Sequence, residues 1–446
     1  MESPPGFADV ALGMPQNEPY QYAVEPSLAG RLRVGQLVRV PLRAQTRCGY
    51  VVGFSSETKF AGIKPIAELL CEEPLISPEL MELARRIARH YFASWGQAIE
   101  AMMPASFKKG KIAIKTRARA VETEVDWIHA TPPHRLTPDQ ERAFGEVRET
   151  VDAGLGDRFL LHGVTGSGKT EIYLHLTEHC VAANRGVIIL VPEISLTPQT
   201  THRFQSRFGA RVAVVHSRLS AGQRLAEWNR IRSGEALVVI GPRSAVFSPV
   251  RSLALIIMDE EYDDSYKQEE TPRYEAGWVA EERSKIEKAV LVRAAATPIL
   301  ESYYRSAAGE MRRLELNSRI EERPMPEVFV VDMRQEKAGN KVRLFSVALE
   351  DAIRAALAQG EQAMLLMNRR GFAPLLVCST CGLVMSCPRC RVSLVFHHDR
   401  QKMLCHTCSY TRAVPSICPG CQKGYVRFVG FGTEKVESEA ARLFPG

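Results

Sequence analysis

The run Gly163-Val164-Thr165-Gly166-Ser167-Gly168-Lys169-Thr170 has residue types and spacing suited to holding phosphate. It fits G-x-x-x-x-G-K-[ST], a phosphate-binding loop. Glycines let backbone N–H groups approach an anion with no Cβ in the way. Lys169 is expected to reach the β- and γ-phosphates of ATP, and Thr170 to offer its hydroxyl to Mg²⁺. A second cluster is the pair Asp259-Glu260, which directly follows the apolar run Leu253–Met258. One carboxylate can hold Mg²⁺ while the other polarises the attacking water. Lys169, Thr170, Asp259 and Glu260 are therefore the candidate catalytic residues.

A third cluster is metal chemistry. Cys378, Cys381, Cys387, Cys390, Cys405, Cys408, Cys418 and Cys421 form four C-x-x-C pairs. A two-residue gap lets both thiolates of a turn face one ion, and Zn²⁺ takes four such ligands. Eight thiolates make two closed sites, which are structural because no position is open to substrate. Spacing alone does not fix which pairs share an ion. The expected arrangement is nested: Cys378, Cys381, Cys418 and Cys421 outside, Cys387, Cys390, Cys405 and Cys408 inside. With eight cysteines present, His397, His398 and His406 are read as surface residues. Cys48, Cys71 and Cys180 are scattered and read as reduced thiols.

Elements must position these groups. The apolar stretch around Phe159–Leu161 precedes the glycine loop and reads as a buried strand. Glu171–Arg185 follows with helical apolar spacing. Strand, loop and helix is the context that makes the motif meaningful. Further apolar runs at Val187–Val191, Val212–Val215, Leu237–Ile240 and Leu253–Met258 alternate with helical segments, which predicts a parallel sheet with crossover helices. A second set of strands is expected at Val328–Val331 and Ala363–Met367, interrupted by the cysteines and resumed at Val426–Val429. No finishing helix is expected before Phe444-Pro445-Gly446. Residues 8–54 read as a small β-barrel, residues 78–103 as helix, and residues 105–135 as linker.

The charge is uneven. Residues 85–120 hold nine Lys or Arg against one acid, and residues 369–423 hold eight against one, within a net charge of +7. Two basic blocks point to a polyanion partner. No apolar run reaches the ~18–20 residues of a membrane span. A cytoplasmic protein is the expectation, with no membrane partner.

These motifs together resemble the PriA family of bacterial replication-restart DNA helicases (primosomal protein N′) of helicase superfamily 2. The resemblance rests on Leu136-Thr137-Pro138-Asp139-Gln140, the phosphate loop, Val191–Gln199, His216–Ser220, Gly241–Phe247, Asp259-Glu260-Glu261, Ser265–Gln268, Pro272-Arg273-Tyr274, Ala296-Thr297-Pro298, Asn368–Gly371 and the eight cysteines. It implies an α/β fold with a RecA-like lobe, an incomplete second lobe carrying the inserted binuclear zinc module, and an N-terminal β-barrel-like DNA-binding domain. The implied domains are 1–104, a 3′-end DNA-binding domain; 105–135, a linker or vestigial winged helix; 136–320, lobe 1; 321–377, the start of lobe 2; 378–424, the zinc module; and 425–446, the return to lobe 2.

The resemblance also implies an ATP- and Mg²⁺-dependent enzyme with two Zn²⁺, paired in the nested way. It implies 3′ to 5′ movement, stalled-fork recognition and action as a monomer. Its partners would be forked and single-stranded DNA, single-stranded-DNA-binding protein, primosome loading proteins and the replicative helicase. Gln140 joins the nucleotide site. Lys64, Arg243, Tyr266, Lys267, Arg273 and Tyr274 become DNA contacts, the two tyrosines within an aromatic loop.

The chain departs from the family at Tyr262 (usually His), Ala294-Ala295 (Gly-Ser), Gly277-Trp278 (Arg-Asp), Gln21 (Asp) and Arg43 (Gly). The family continues beyond Phe444-Pro445 with the rest of lobe 2. The expectation is that the chain binds zinc and DNA, binds ATP weakly and unwinds poorly or not at all. The alternative reading is a zinc-stabilised DNA-binding scaffold.

Overall fold

A computed structural model describes residues 6–110, 134–192, 198–320, 326–333, 335–338, 341–367, 375–397, 401–429 and 433–445. Residues 111–133 of the expected linker, residues 193–197 of the Val191–Gln199 motif, Asn368–Gly371 and His398 lie outside them. The chain divides into two compact units, Met1–Pro324 and Met325–Gly446.

The first unit opens with five antiparallel strands: β1 (Phe7–Ala11), β2 (Tyr20–Ala23), β3 (Leu37–Leu42), β4 (Gln45–Ser55) and β5 (Glu68–Leu69). Their order is β2-β1-β4-β3-β5. The outer edges meet where the Ala23 N–H donates to Lys64 O at 3.0 Å and the Ile66 N–H to Ala23 O at 3.2 Å. The sheet thus curls into the expected small barrel and leaves few edge groups unpaired. Val10, Val38, Val40, Val51 and Ile66 fill its inside. The expected helix over 78–103 is two helices, α1 (Pro78–His90) and α2 (Trp95–Met102). Ser77 caps the first and Ser94 the second, the latter as a capping box with Gln97.

A seven-stranded parallel sheet follows. Its elements are α3 (Pro138–Ala153), β6 (Arg158–Gly163), α4 (Lys169–Ala182), β7 (Gly186–Leu190), α5 (Pro198–Phe208), β8 (Val212–Val214), α6 (Ala221–Ser233), β9 (Val238–Gly241), β10 (Leu253–Met258), α7 (Ala276–Glu287), β11 (Val290–Ala295), α8 (Leu300–Ala307) and β12 (Arg312–Leu316). The strand order is β12-β6-β11-β10-β7-β9-β8. Every residue of β7, β10 and β11 is buried, as parallel strands covered on both faces require. Alternate residues serve opposite faces. Val187, Ile189, Leu255 and Ile257 pack with α3, α4 and Phe204 of α5. Ile188, Leu190, Ile256 and Met258 pack with α6 and α7 in one cluster that also holds Leu83, Ile87 and Ile99 of the N-terminal helices.

That shared core joins the barrel domain to the sheet. His90 stacks on Trp278 with ring centroids 4.0 Å apart, and Phe107 meets Trp228 edge-on at 5.2 Å. Arg86 pairs with Glu282 at 2.8 Å. Trp278 is thus a joint between the two parts.

The second unit holds β13 (Lys337–Ala338), β14 (Lys341–Val342), α9 (Val347–Ala358), β15 (Leu375–Cys378), β16 (Val395–His397), β17 (Lys402–Leu404), β18 (Thr411–Ala413), β19 (Val426–Val429) and α10 (Thr433–Leu443). Three expectations are corrected. Val328–Val331 and Ala363–Met367 form no strand, and Val330 and Leu366 are each 95% exposed. A β-prone run needs a neighbour to pair with, and the described residues supply none. Val426–Val429 does not resume a parallel sheet but pairs antiparallel with β15 beside the cysteines. The chain does form a late helix, α10.

Candidate functional site

The phosphate loop leaves β6 at Gly163 and enters α4 at Lys169. Gly166 and Gly168 hold φ of +82° and +75°, which strains any other residue. A Cβ on Gly168 would lie 2.4 Å from Nε2 of Gln140. Lys169 Nζ donates to the Gly163 carbonyl at 2.9 Å, which keeps the ammonium over the loop.

Gln140 is buried and braces this loop from behind. Its Nε2 donates to Ser167 O at 2.8 Å, while its Oε1 accepts the Thr137 N–H at 2.9 Å in the capping box that starts α3. The loop, Gln140, Arg203, Arg207, Asp259 and Glu260 line one cavity of about 710 Å³.

Asp259 and Glu260 lie past the end of β10, with β11 between that strand and β6. Both therefore reach the carboxyl edge of the sheet, where ligands bind in open parallel sheets. Tyr173, from the buried face of α4, donates its hydroxyl to Asp259 Oδ1 at 2.7 Å. Burial pushes the Asp259 carboxyl above its ordinary pKa, and the Tyr173 bond works against that. Glu260 holds φ of +45°, a costly conformation for a side chain with a Cβ. Its Oε2 is buried without a hydrogen-bond partner among the described residues, an acceptor free for a water. Tyr262 faces it, and the Glu260 charge raises the Tyr262 phenol above its ordinary pKa.

Glu261 turns the other way, into the core. It pairs with Arg293 at 3.3 Å and accepts the Ser302 hydroxyl at 2.7 Å, while its N–H donates to Ala294 O at 3.1 Å. The Asp-Glu-Glu turn is thereby pinned from below. Sequence reasoning missed Tyr173, Arg293 and Ser302. A tyrosine on an amphipathic helix carries no sign of the acid it will meet.

The residues expected at DNA fall into two groups. Tyr266 and Tyr274 are 2% and 3% exposed. Tyr266 donates to Asp259 O at 2.7 Å, and Tyr274 packs edge-on against Phe247 at 4.9 Å. As platforms on which bases stack they are corrected, since both rings are buried, Tyr274 reaching only the wall of the cleft beside Arg243. Arg243 grips the same loop through Ser265 O at 3.0 Å and Lys267 O at 2.9 Å. Lys267 lies over the Tyr91 ring at 5.1 Å and donates to Arg273 O. Arg273 and Lys64 are exposed. Lys64 donates to Arg43 O at 3.3 Å on the barrel. Nearby, Gln21 donates to Ser55 Oγ at 3.1 Å and accepts from Thr58 at 2.9 Å.

The cysteines assemble as the nested pairing expects. Cys378, Cys381, Cys418 and Cys421 form one cluster; Cys387, Cys390, Cys405 and Cys408 form the other, with no disulfide. Neighbouring sulfurs lie 3.6–3.7 Å apart. Tetrahedral ligands at ~2.3 Å from Zn²⁺ stand about 3.8 Å from each other, so both clusters fit the ion. Each C-x-x-C turn closes the same way. The residue after the second cysteine (Gly382, Arg391, Ser409 or Gln422) has positive φ and donates its N–H to the carbonyl of the first cysteine. Backbone N–H groups of Cys381 and Thr380 lower the Cys378 thiol to about 6, and those of Cys408 and Thr407 do the same for Cys405. Both are readied as thiolates.

A phosphate loop and an Asp-Glu pair on one edge of a parallel sheet, with a β-barrel domain before and a two-zinc ribbon after in the chain, define a phosphate-loop protein of the RecA-like class. Comparison with known proteins gives the family. The DEAD/DEAH box helicase model matches residues 137–299, the 3′DNA-binding domain of PriA matches 9–104, and the Cys-rich region of the PriA DNA helicase matches 387–412. The replication restart protein PriA of Bacillus subtilis is 46% identical over 71% of this chain and 39% of its own length. The Treponema pallidum PriA is 36% identical over 98% of this chain and 65% of its own, and that of Haemophilus influenzae 31% over 98% and 68%. The chain belongs to the PriA family of replication restart proteins. It spans 39% and 65% of the first two relatives' lengths.

Proposed function

We propose that this chain is the nucleotide- and zinc-binding part of a DNA-dependent ATPase that drives 3′ to 5′ unwinding during replication restart. The observation that carries the reading is the single cavity holding Lys169, Thr170, Asp259 and Glu260. Lys169 would engage the β- and γ-phosphates, and the loop's backbone N–H groups would cradle them. Thr170 and Asp259 would hold Mg²⁺, which neutralises charge on the transferred phosphoryl group. Glu260, with a free buried oxygen, would orient the attacking water. Gln140 sets the loop from beneath and retains a second donor hydrogen for the nucleotide.

On the DNA side, Arg243, Lys267 and Arg273 would face the strand, with Lys64 on the barrel. Tyr266 and Tyr274 support their loop from inside. Tyr266 also links that loop to Asp259, a route by which a bound strand could adjust the carboxylate. Forked and single-stranded DNA are the proposed substrates. Single-stranded-DNA-binding protein, primosome loaders and the replicative helicase are the proposed partners, in the bacterial cytoplasm at the nucleoid, with the protein acting as a monomer.

The test is ATP hydrolysis with and without forked DNA, comparing this chain with Lys169→Ala. DNA-stimulated turnover lost in the variant supports the reading. No turnover with DNA binding intact would leave a zinc-stabilised scaffold in its place.

A further inference from the structure

Two clefts open on the first unit, one between the parallel-sheet domain and the N-terminal domain and one on the N-terminal domain alone. One, of about 470 Å³, lies between Arg224 and Arg243 of the sheet domain and α2 of the N-terminal domain. The other, of about 460 Å³, runs over the barrel past Arg39, Arg47 and Lys109. They share Gly13, Glu100 and Lys108, so they are one groove in two stretches. Gly13 makes the join possible. A Cβ there would fall within 2.2 Å of the Glu100 carboxylate, which packs flat against the glycine.

The groove is strongly cationic. Six Lys or Arg line it against two acids, Glu100 and Glu270. Lys108 neutralises Glu100 at 2.7 Å, and Arg39 pairs with Glu68 at 3.3 Å. In the contacts resolved for them, Arg224 bonds to a backbone carbonyl, and Arg243 to two backbone carbonyls and the Tyr274 side chain, none of them an acid. Arg47 and Lys109 are exposed and have no acid partner among the described residues. Four positive charges thus line one path without a matching carboxylate. Such a row suits the regularly spaced charges of a single nucleic-acid strand, and carries no base-edge readout.

We propose that the barrel stretch of this groove, through Arg47 and Lys109, carries the phosphates of single-stranded DNA leaving the cleft at Arg243. The residues lining this stretch do not include Gln21 or Lys64 of the same barrel, although Lys64 bonds to Arg43 in the turn that leads into β4. The proposal rests on the reading of this chain as a DNA-binding helicase.

The experiment is a salt titration of binding to oligothymidylate of about 20 nucleotides, longer than the ~4–16 a small barrel covers. The unaltered chain is compared with Arg47→Ala/Lys109→Ala. A control, Arg142→Ala/Arg148→Ala, makes the same charge change on α3, which packs on the opposite face of the sheet. Each lost phosphate contact reduces the slope of log K against log salt by ~0.7 for single strands. The groove variant should bind more weakly, with a slope shallower by about 1.4, and the control should match the unaltered chain. Both groove side chains are exposed, so an unchanged melting temperature is expected. A groove variant whose slope equals that of the unaltered chain or of the control overturns the proposal while leaving DNA binding intact. No binding by the unaltered chain overturns the DNA reading itself and this proposal with it.

Discussion

Asp259 illustrates how much of the site one hydrogen bond controls. Its carboxyl is buried, which favours the neutral form, and the Tyr173 hydroxyl is the largest influence holding it ionised. Tyr173→Phe removes that donor and leaves a buried carboxylate oxygen short of a partner, at a cost of ~1–3 kcal/mol. The Asp259 pKa should then rise further. The acidic limb of the pH–rate profile should move to higher pH and the Mg²⁺ requirement should increase, with nucleotide binding through Lys169 kept. A pH–rate profile unchanged in Tyr173→Phe would remove the tyrosine from the mechanism. The residues that touch phosphate were legible in the sequence because their spacing is dictated by the ligand. Tyr173 and Gln140's bracing role were not, because nothing local distinguishes a tyrosine that meets an acid from one that meets leucine. The opposite error occurred at Tyr266 and Tyr274. The family resemblance, not the residues themselves, made them stacking surfaces, yet Tyr266 donates to Asp259 O and Tyr274 lies against Phe247, both inside the fold.

Among the elements, α7 and α8 are tied to the sheet by ions. Glu281 of α7 receives Arg305 of α8 at 2.8 and 2.9 Å and Arg158 of β6 at 2.7 Å. Burial alone would raise its pKa, but Arg305 and Lys285 outweigh burial and hold it at about 2 against an ordinary 4.5. A depressed carboxyl stabilises the fold fully above its unfolded pKa and loses that contribution as pH falls through the folded one. Stability should therefore decline between about pH 4.5 and pH 2. Glu281→Gln should be less stable at neutral pH and show a flatter acid limb, measurable by denaturant unfolding at a series of pH values. The cysteine turns behave differently, since a metal closes them. Cys387→Ser should reduce bound zinc from two ions per chain to one, read by metal analysis, while the outer cluster keeps its own. Element type was legible where apolar period and motif context agreed, as at α4 and β10. It failed at Val328–Val331, where β-propensity was present and a pairing partner among the described residues was not.

For the molecule as a whole, stability comes from two different sources. The first unit has extended apolar clusters, whereas the zinc ribbon has a small one built around Leu376, Met385, Leu394, Phe396 and Met403. So small a core depends on its metals. Chelation should abolish the ribbon's near-ultraviolet dichroism, and nucleotide binding by the first unit should survive it. That difference was partly legible, since eight clustered cysteines announce a module that cannot rely on burial. The fusion of the barrel domain with the parallel sheet was not, because His90 and Trp278 are far apart in the chain and nothing local to either names the other as its partner. That fusion bears on kinetics. Walls that share one core, stacked at His90–Trp278 and paired at Arg86–Glu282, form a trough of fixed width rather than a jaw. A strand entering it would find its seat already shaped. Capture should appear in rapid mixing as a single phase, linear in DNA concentration and slowed by salt, with no later step of the protein closing around its cargo.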